Sequence, residues 1–142
     1  RLAATEPSLV MAGWRNAAEL FTLMGMANFA VFPSASRDFQ ITFPNKVGEY
    51  LSYGLPIMTS LGGVVGRMLG DRGLLLPYVA GDAASGAAVL RQIVAGQGPI
   101  ADPQSRDRAR AAFRDYFDPE QIIPAFADYL EELAHPRADG GR

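Results

Sequence analysis

The chain has 142 residues and a mass of 15.2 kDa, a net charge of −2 and a pI of about 5.3, which excludes an overall electrostatic pull toward nucleic acid. Hydrophobic residues make up 49% and charged residues 20%, which excludes a disordered chain and allows a real core. Cysteine is absent and histidine occurs once, at His135, so disulfides, cysteine-zinc clusters, thiol nucleophiles, a His-based triad and a multi-His metal site are all disfavoured.

In chain order, Ser8 to Ala12 is a short apolar run closed by Gly13, which predicts a buried strand. Asn16 and Glu19 form a capping-box pair. Ala17, Leu20, Phe21, Met24 and Ala27 then recur at helical spacing, up to Asn28. Phe29 to Phe32 reads as a second strand, stopped by Pro33, and Ser34 to Thr42 as a polar loop. Pro44 suits the first turn of a helix with Val47, Tyr50 and Leu51 on its inner stripe; Gly54 ends it and Pro56 blocks its continuation.

Ile57 to Ser60 predicts a third strand, Gly62-Gly63 a tight turn, and Val64 to Leu69 a short helix. Gly73 to Leu76 predicts a fourth strand, and Asp82 caps a helix running to about Ala95. Asp102-Pro103 and Asp118-Pro119 repeat one helix-start signal. The first of these helices is expected to bury Ala109, Ala112, Phe113, Tyr116 and Phe117. The second is expected to bury Ile122, Phe126, Tyr129, Leu130 and Leu133, with a bend at Pro124. Trp14 reads as a boundary aromatic packed on the core, and Arg106, Arg108, Arg110 and Arg114 as a solvated helix face interleaved with Asp107 and Asp115. Residues 136–142 read as a frayed tail after a domain spanning residues 1–135.

The alternation of continuously apolar strands with helices predicts an α/β fold, a Rossmann-like parallel sheet with helices on both faces. Ligands of such sheets sit beyond the carboxyl ends of the strands, which directs attention to the loops after Phe32, Ser60 and Leu76. Lys46 is the chain's one lysine. With Glu49, three residues on, it falls on one face of a helix start. Two readings fit. A cation beside free helix N–H groups suits a phosphate, and a carboxylate suits vicinal hydroxyls, as in a nucleotide sugar. Equally, the pair is an exposed ion pair of small energetic effect. Gly62-Gly63 is either a phosphate cradle or a plain left-handed turn, and Asp38 is a loop charge or a sugar contact.

The segment Phe43 to Ile57, with Pro44-Asn45-Lys46, Glu49-Tyr50, Gly54 and Pro56, resembles the donor-site helix of retaining GT-B glycosyltransferases of the group 1, or family 4, type. Gly13-Trp14, Glu19-Leu20, Ala27-Asn28, Pro33-Ser34, Gly62-Gly63, Gly73-Leu74 and Gly81-Asp82 resemble that family's further motifs in the same order, so the likeness runs from about Leu9 to Leu133. The resemblance implies the C-terminal, donor-binding half of a GT-B enzyme. Its acceptor domain and opening donor-domain strands would lie upstream of Arg1, and these 142 residues alone would fold marginally, with an exposed apolar sheet edge and no turnover.

By the same resemblance, Glu49 matches the second glutamate of the family's Glu–seven residues–Glu motif, which binds the donor ribose. Lys46 and Asn45 fall at the diphosphate or sugar, the loop with Gln40, Thr42 and Phe43 faces the donor sugar, and Gly62 and Gly63 count with the donor-binding residues. The first motif glutamate is replaced by Ile41, which leaves the catalytic contact unassigned, and Val64 to Arg67 lacks the family's later glutamate. The implied reaction is transfer of a sugar, of the hexosyltransferase class, from a nucleotide-diphosphate sugar. No metal or other cofactor is implied. The acceptor would be a sugar or a lipid-linked sugar of a bacterial surface polysaccharide or glycolipid, handled in the cytoplasm at the inner face of the membrane by peripheral association, with no nucleic-acid partner. A GT-B nucleotide-sugar epimerase and a non-catalytic α/β binding module are the alternatives, the latter favoured by Ile41.

Overall fold

The computed structural model describes Glu6, residues 8–34 and residues 42–134. Among these residues three strands, β1 (Ala30–Phe32), β2 (Ile57–Thr59) and β3 (Leu75–Pro77), form a parallel sheet in the order β1-β2-β3. Ala30 pairs with Ile57 and Ile57 with Leu75, so the three strands start level. Ahead of the sheet runs α1 (Ala17–Met26), and between and after the strands run α2 (Asn45–Ser52), α3 (Gly63–Asp71), α4 (Ala83–Val94), α5 (Ser105–Phe117) and α6 (Pro119–Ala134). A 3-10 turn, Gly98–Ile100, links α4 to the α5 approach.

The side-chain alternation of a strand builds two cores from the central strand. Ile57 belongs to one cluster, with Val47 and Leu51 of α2, Val65 and Leu69 of α3, and Ala109 and Ala112 of α5. Its neighbour Met58 points the other way, into a smaller cluster with Leu76 and with Val89 of α4. Helices therefore cover both faces of β2, which is buried at every residue, while Val31 on β1 remains half-exposed. Thr59 carries the one polar side chain within β2. It is fully covered because its hydroxyl donates to Phe32 O at 2.8 Å and accepts from Leu61 N–H at 3.1 Å.

Local signals fix the helix ends. Asn16 Oδ1 accepts from Glu19 N–H at 3.0 Å, and Glu19 Oε2 accepts from Asn16 N–H at 3.0 Å, the expected reciprocal box. Asp82 Oδ1 accepts from Ala84 and Ser85 N–H groups and opens α4. Gly54, with φ +77°, turns the chain out of α2. An added Cβ there would also stand 3.0 Å from Arg106 O.

Several expectations are corrected. Ser8 to Ala12 is not a strand: Leu9 N–H bonds back to Glu6 O in a turn, and Val10 and Met11 are exposed. An apolar run becomes a strand only where a ladder receives its N–H and C=O groups, and no β-ladder pairs this one. The sheet thus has three strands among the described residues, where four were expected. Trp14 does not pack on the core and is 94% exposed. No residue of α1 is buried, and Phe21 lies against Tyr53 edge-to-face, with ring centres 5.7 Å apart.

The stripe on α6 is likewise not buried; Ile122, Phe126, Tyr129, Leu130 and Leu133 are all exposed. Tyr116 is about half-exposed and lies under the Arg72 guanidinium at 5.1 Å. Boundaries shift by a residue or two. Pro44 stands at the N-cap of α2 rather than inside it, α3 opens at Gly63, and β3 runs from Leu75 to Pro77. Asp102 caps a turn ahead of α5, accepting from Gln104 N–H at 2.9 Å, and the helix itself begins at Ser105. His135 and the tail at residues 136–142 lie outside the described residues.

Candidate functional site

All three strands run the same way, so their carboxyl ends meet at one edge, and α2, α3 and α4 start from it. The loops leaving β1 and β2 are tied together there. The Ser60 hydroxyl donates to Ser34 O at 2.6 Å, and Ser34 N–H donates to Ser60 Oγ at 3.4 Å. Ser34 itself is buried, and among the described residues its own Oγ has no hydrogen-bond partner. Sequence reasoning placed Ser34 in a Pro-Ser motif and Ser60 at the end of a predicted strand, but did not pair them. Nothing local pairs them, because they stand 26 residues apart.

The three helix starts differ in chemistry. The N-terminus of α4 is satisfied from within, by the Asp82 carboxylate. The N-cap residues of α2 and α3, Pro44 and Gly62, make no side-chain cap of their own. At those two N-termini the N-cap residue itself therefore brings no carboxylate, unlike Asp82 at α4. Gly63, with φ +58°, makes the tight turn into α3 that the glycine pair predicts.

Lys46 and Glu49 occupy the first two turns of α2. Lys46 Nζ lies 2.5 Å from Glu49 Oε2, with the lysine 53% and the glutamate 31% exposed. The hydrogen bond to Glu49 holds the lysine ammonium above its ordinary pKa, against a small opposing effect of desolvation. The opposite side of the same helix is buried through Val47, Gly48 and Leu51, so the charged pair is held on a rigid element.

At the start of α2 a cleft of about 610 Å³ opens toward α3 and α5, lined in part by Phe43, Asn45, Val64, Arg67 and Phe117 but not by the charged pair itself. Phe43 is half-buried and meets the Phe117 ring edge-to-face at 4.9 Å. Thr42 and Asn45 are exposed at the same edge, as are Gly62 and Gly63. The structure thus gathers Thr42, Phe43, Asn45, Lys46 and Glu49 around the start of α2, and sets Gly62 and Gly63 at the start of the next helix. Gln40, Ile41 and Asp38 lie outside the described residues.

The arginines of α5 are more than a solvated face. Arg106 Nη2 donates to Ala27 O at 2.5 Å, Arg108 Nε donates to Arg72 O at 2.9 Å, and Arg108 pairs with Asp102 at 2.6 Å. These bonds anchor α5 to the ends of α1 and α3 and hold it under α2. Among the described residues no group of three His, Cys, Asp or Glu gathers where it could hold a metal ion, and no helix is long and apolar enough to cross a membrane.

Compared with known proteins, residues 1–96 match the sequence model of the family described as Glycosyl transferases group 1. No curated protein and no solved structure matches the chain. The three-stranded parallel sheet with helices on both faces agrees with the Rossmann-like C-terminal domain of the GT-B architecture.

Proposed function

The chain belongs to the group 1 glycosyl transferases, and from that premise we propose that the start of α2 and the loops around it bind the nucleotide-diphosphate sugar donor. One observation carries this reading. The Lys46–Glu49 pair stands on the first turns of a helix whose N-cap, Pro44, makes no side-chain cap, at the carboxyl edge of a parallel sheet, where α3 also starts. In this reading Glu49 accepts from the two ribose hydroxyls. Lys46 and the N–H groups at Asn45 take the diphosphate, supplemented by the Gly62-Gly63 turn. Thr42, Phe43 and Gln40 face the donor sugar.

A donor would take the place of each member of the pair as the other's partner. The phosphate would draw Lys46 outward and the ribose would engage the less exposed Glu49. Transfer with retention breaks the bond between the anomeric carbon and the diphosphate oxygen and forms one to an acceptor hydroxyl, whose proton is released. Negative charge grows on the departing diphosphate, where Lys46 and the two helix N-termini would stabilise it. The reading therefore calls for no divalent metal. It assigns the protein to hexosyl transfer onto a sugar or lipid-linked acceptor, as in surface polysaccharide or glycolipid assembly.

The test is calorimetry of nucleoside diphosphates and nucleotide sugars on the full-length natural protein. Glu49→Ala is expected to weaken nucleotide binding by about ten- to a hundredfold, the loss of hydrogen bonds to a charged group. An unchanged affinity would sink the ribose assignment. Lys46→Ala is expected to weaken diphosphate binding and slow turnover, and unaltered binding with unaltered turnover would remove the anion role.

A further inference from the structure

The start of α2 has an unusual support. A hydrophobic residue just before a helix N-cap commonly packs on the fourth helical residue, and this staple fixes the angle at which the chain enters the helix. Here Phe43 precedes the Pro44 cap, but the fourth helical residue is Gly48, which has no side chain to offer. A glycine inside a helix costs about 1 kcal/mol relative to alanine, so its place needs a reason. The reason is visible in the packing. A Cβ on Gly48 would stand 2.8 Å from Cδ1 of Phe117, the last residue of α5.

The Phe117 ring lies on the bare Gly48 backbone, meets Phe43 edge-to-face at 4.9 Å, and stacks on Phe113 at 6.2 Å with an interplanar angle of 9°. It therefore touches both positions that a staple joins. We propose that Phe117 is a positioning residue: it supplies from α5 the staple that α2 cannot make for itself, and so sets where Lys46 and Glu49 stand at the donor site. The inference rests on the donor reading above and adds to it a residue 68 or more positions away from the charged pair.

The proposal is tested in the full-length protein with three variants. Phe117→Ala removes the staple, and Phe117→Leu does so with less loss of core should the alanine variant not fold. Each is expected to raise the KM for the nucleotide-sugar donor about tenfold, while kcat changes less, as for misplaced binding groups. Amide hydrogen exchange at Lys46 to Glu49 is expected to speed up in the unliganded protein. Gly48→Leu combined with Phe117→Ala rebuilds the staple within α2, and is expected to recover most of the lost donor affinity.

If Glu49→Ala weakens nucleotide binding while both Phe117 variants leave KM and exchange unchanged, the staple is overturned and the donor reading stands. A double variant no better than Phe117→Ala overturns it equally. If neither Glu49→Ala nor the Phe117 variants affect nucleotide binding, the donor reading falls, and this role for Phe117 falls with it.

Discussion

Val47 and Leu51 of α2 are completely covered, whereas Ile122, Phe126, Tyr129, Leu130 and Leu133 of α6 repeat at helical spacing and all remain exposed. Both segments are helices. The difference lies in their neighbours: α2 is enclosed by β2, α3 and α5, while the main neighbour of α6 is α5. Apolar period decides that a segment coils and which face is sticky. Whether that face is buried depends on a second surface arriving from elsewhere in the chain.

The sharpest way to break this contrast is a pair of truncations. Leu51→Ala is expected to destabilise the fold by about 3 kcal/mol, and Leu130→Ala by less than about 0.5 kcal/mol, in urea unfolding. Equal losses would mean that α6 is packed as tightly as α2.

Gly54→Ala probes the end of α2. It forces a left-handed backbone onto an alanine and crowds Arg106 O, so a loss of about 1–2 kcal/mol is expected, read from the unfolding midpoint. Pro124→Ala probes α6. It restores an N–H inside that helix, so amide exchange in α6 should slow while the global midpoint moves by less than about 0.5 kcal/mol. A large rise in the midpoint would show that α6 unfolds together with the core.

The smallest effect concerns Lys46. Its folded pKa lies above the ordinary value near 10.5, so its pairing with Glu49 contributes fully below that pH and is lost as the pH rises through the folded value. An NMR titration of the lysine should show the raised value, and Glu49→Gln should return it toward ordinary. No shift between the two proteins would dissolve the pair.

Much of the core fold was legible because its signals are local. The capping box at Asn16 and Glu19, the Asp82 cap, the Gly54 exit and the apolar run at Ile57 all act within a few residues. The Lys46–Glu49 pair was legible for the same reason, since three residues along a helix place two side chains together. Ser8 to Ala12 misled because its apolar run is that of a strand while its pairing is not local. Trp14 and the α6 stripe misled in the same way, through partners that spacing cannot supply. The serine tie between Ser34 and Ser60 and the anchoring of α5 by Arg106 and Arg108 span 26 to 79 residues, and no local pattern announces them.

The sequence by itself determined the starts of α1, α4 and α6, the Gly54 exit, the central strand and the residues of the charged pair, because each follows from backbone sterics, capping and period. Only the tertiary structure decided which apolar faces are covered. It also joined the β1 and β2 loops, and it laid the Phe117 ring where Gly48 has no side chain. Those outcomes depend on surfaces brought together from distant parts of the chain. Their energies come from burial and close packing, which exist only after the chain has folded.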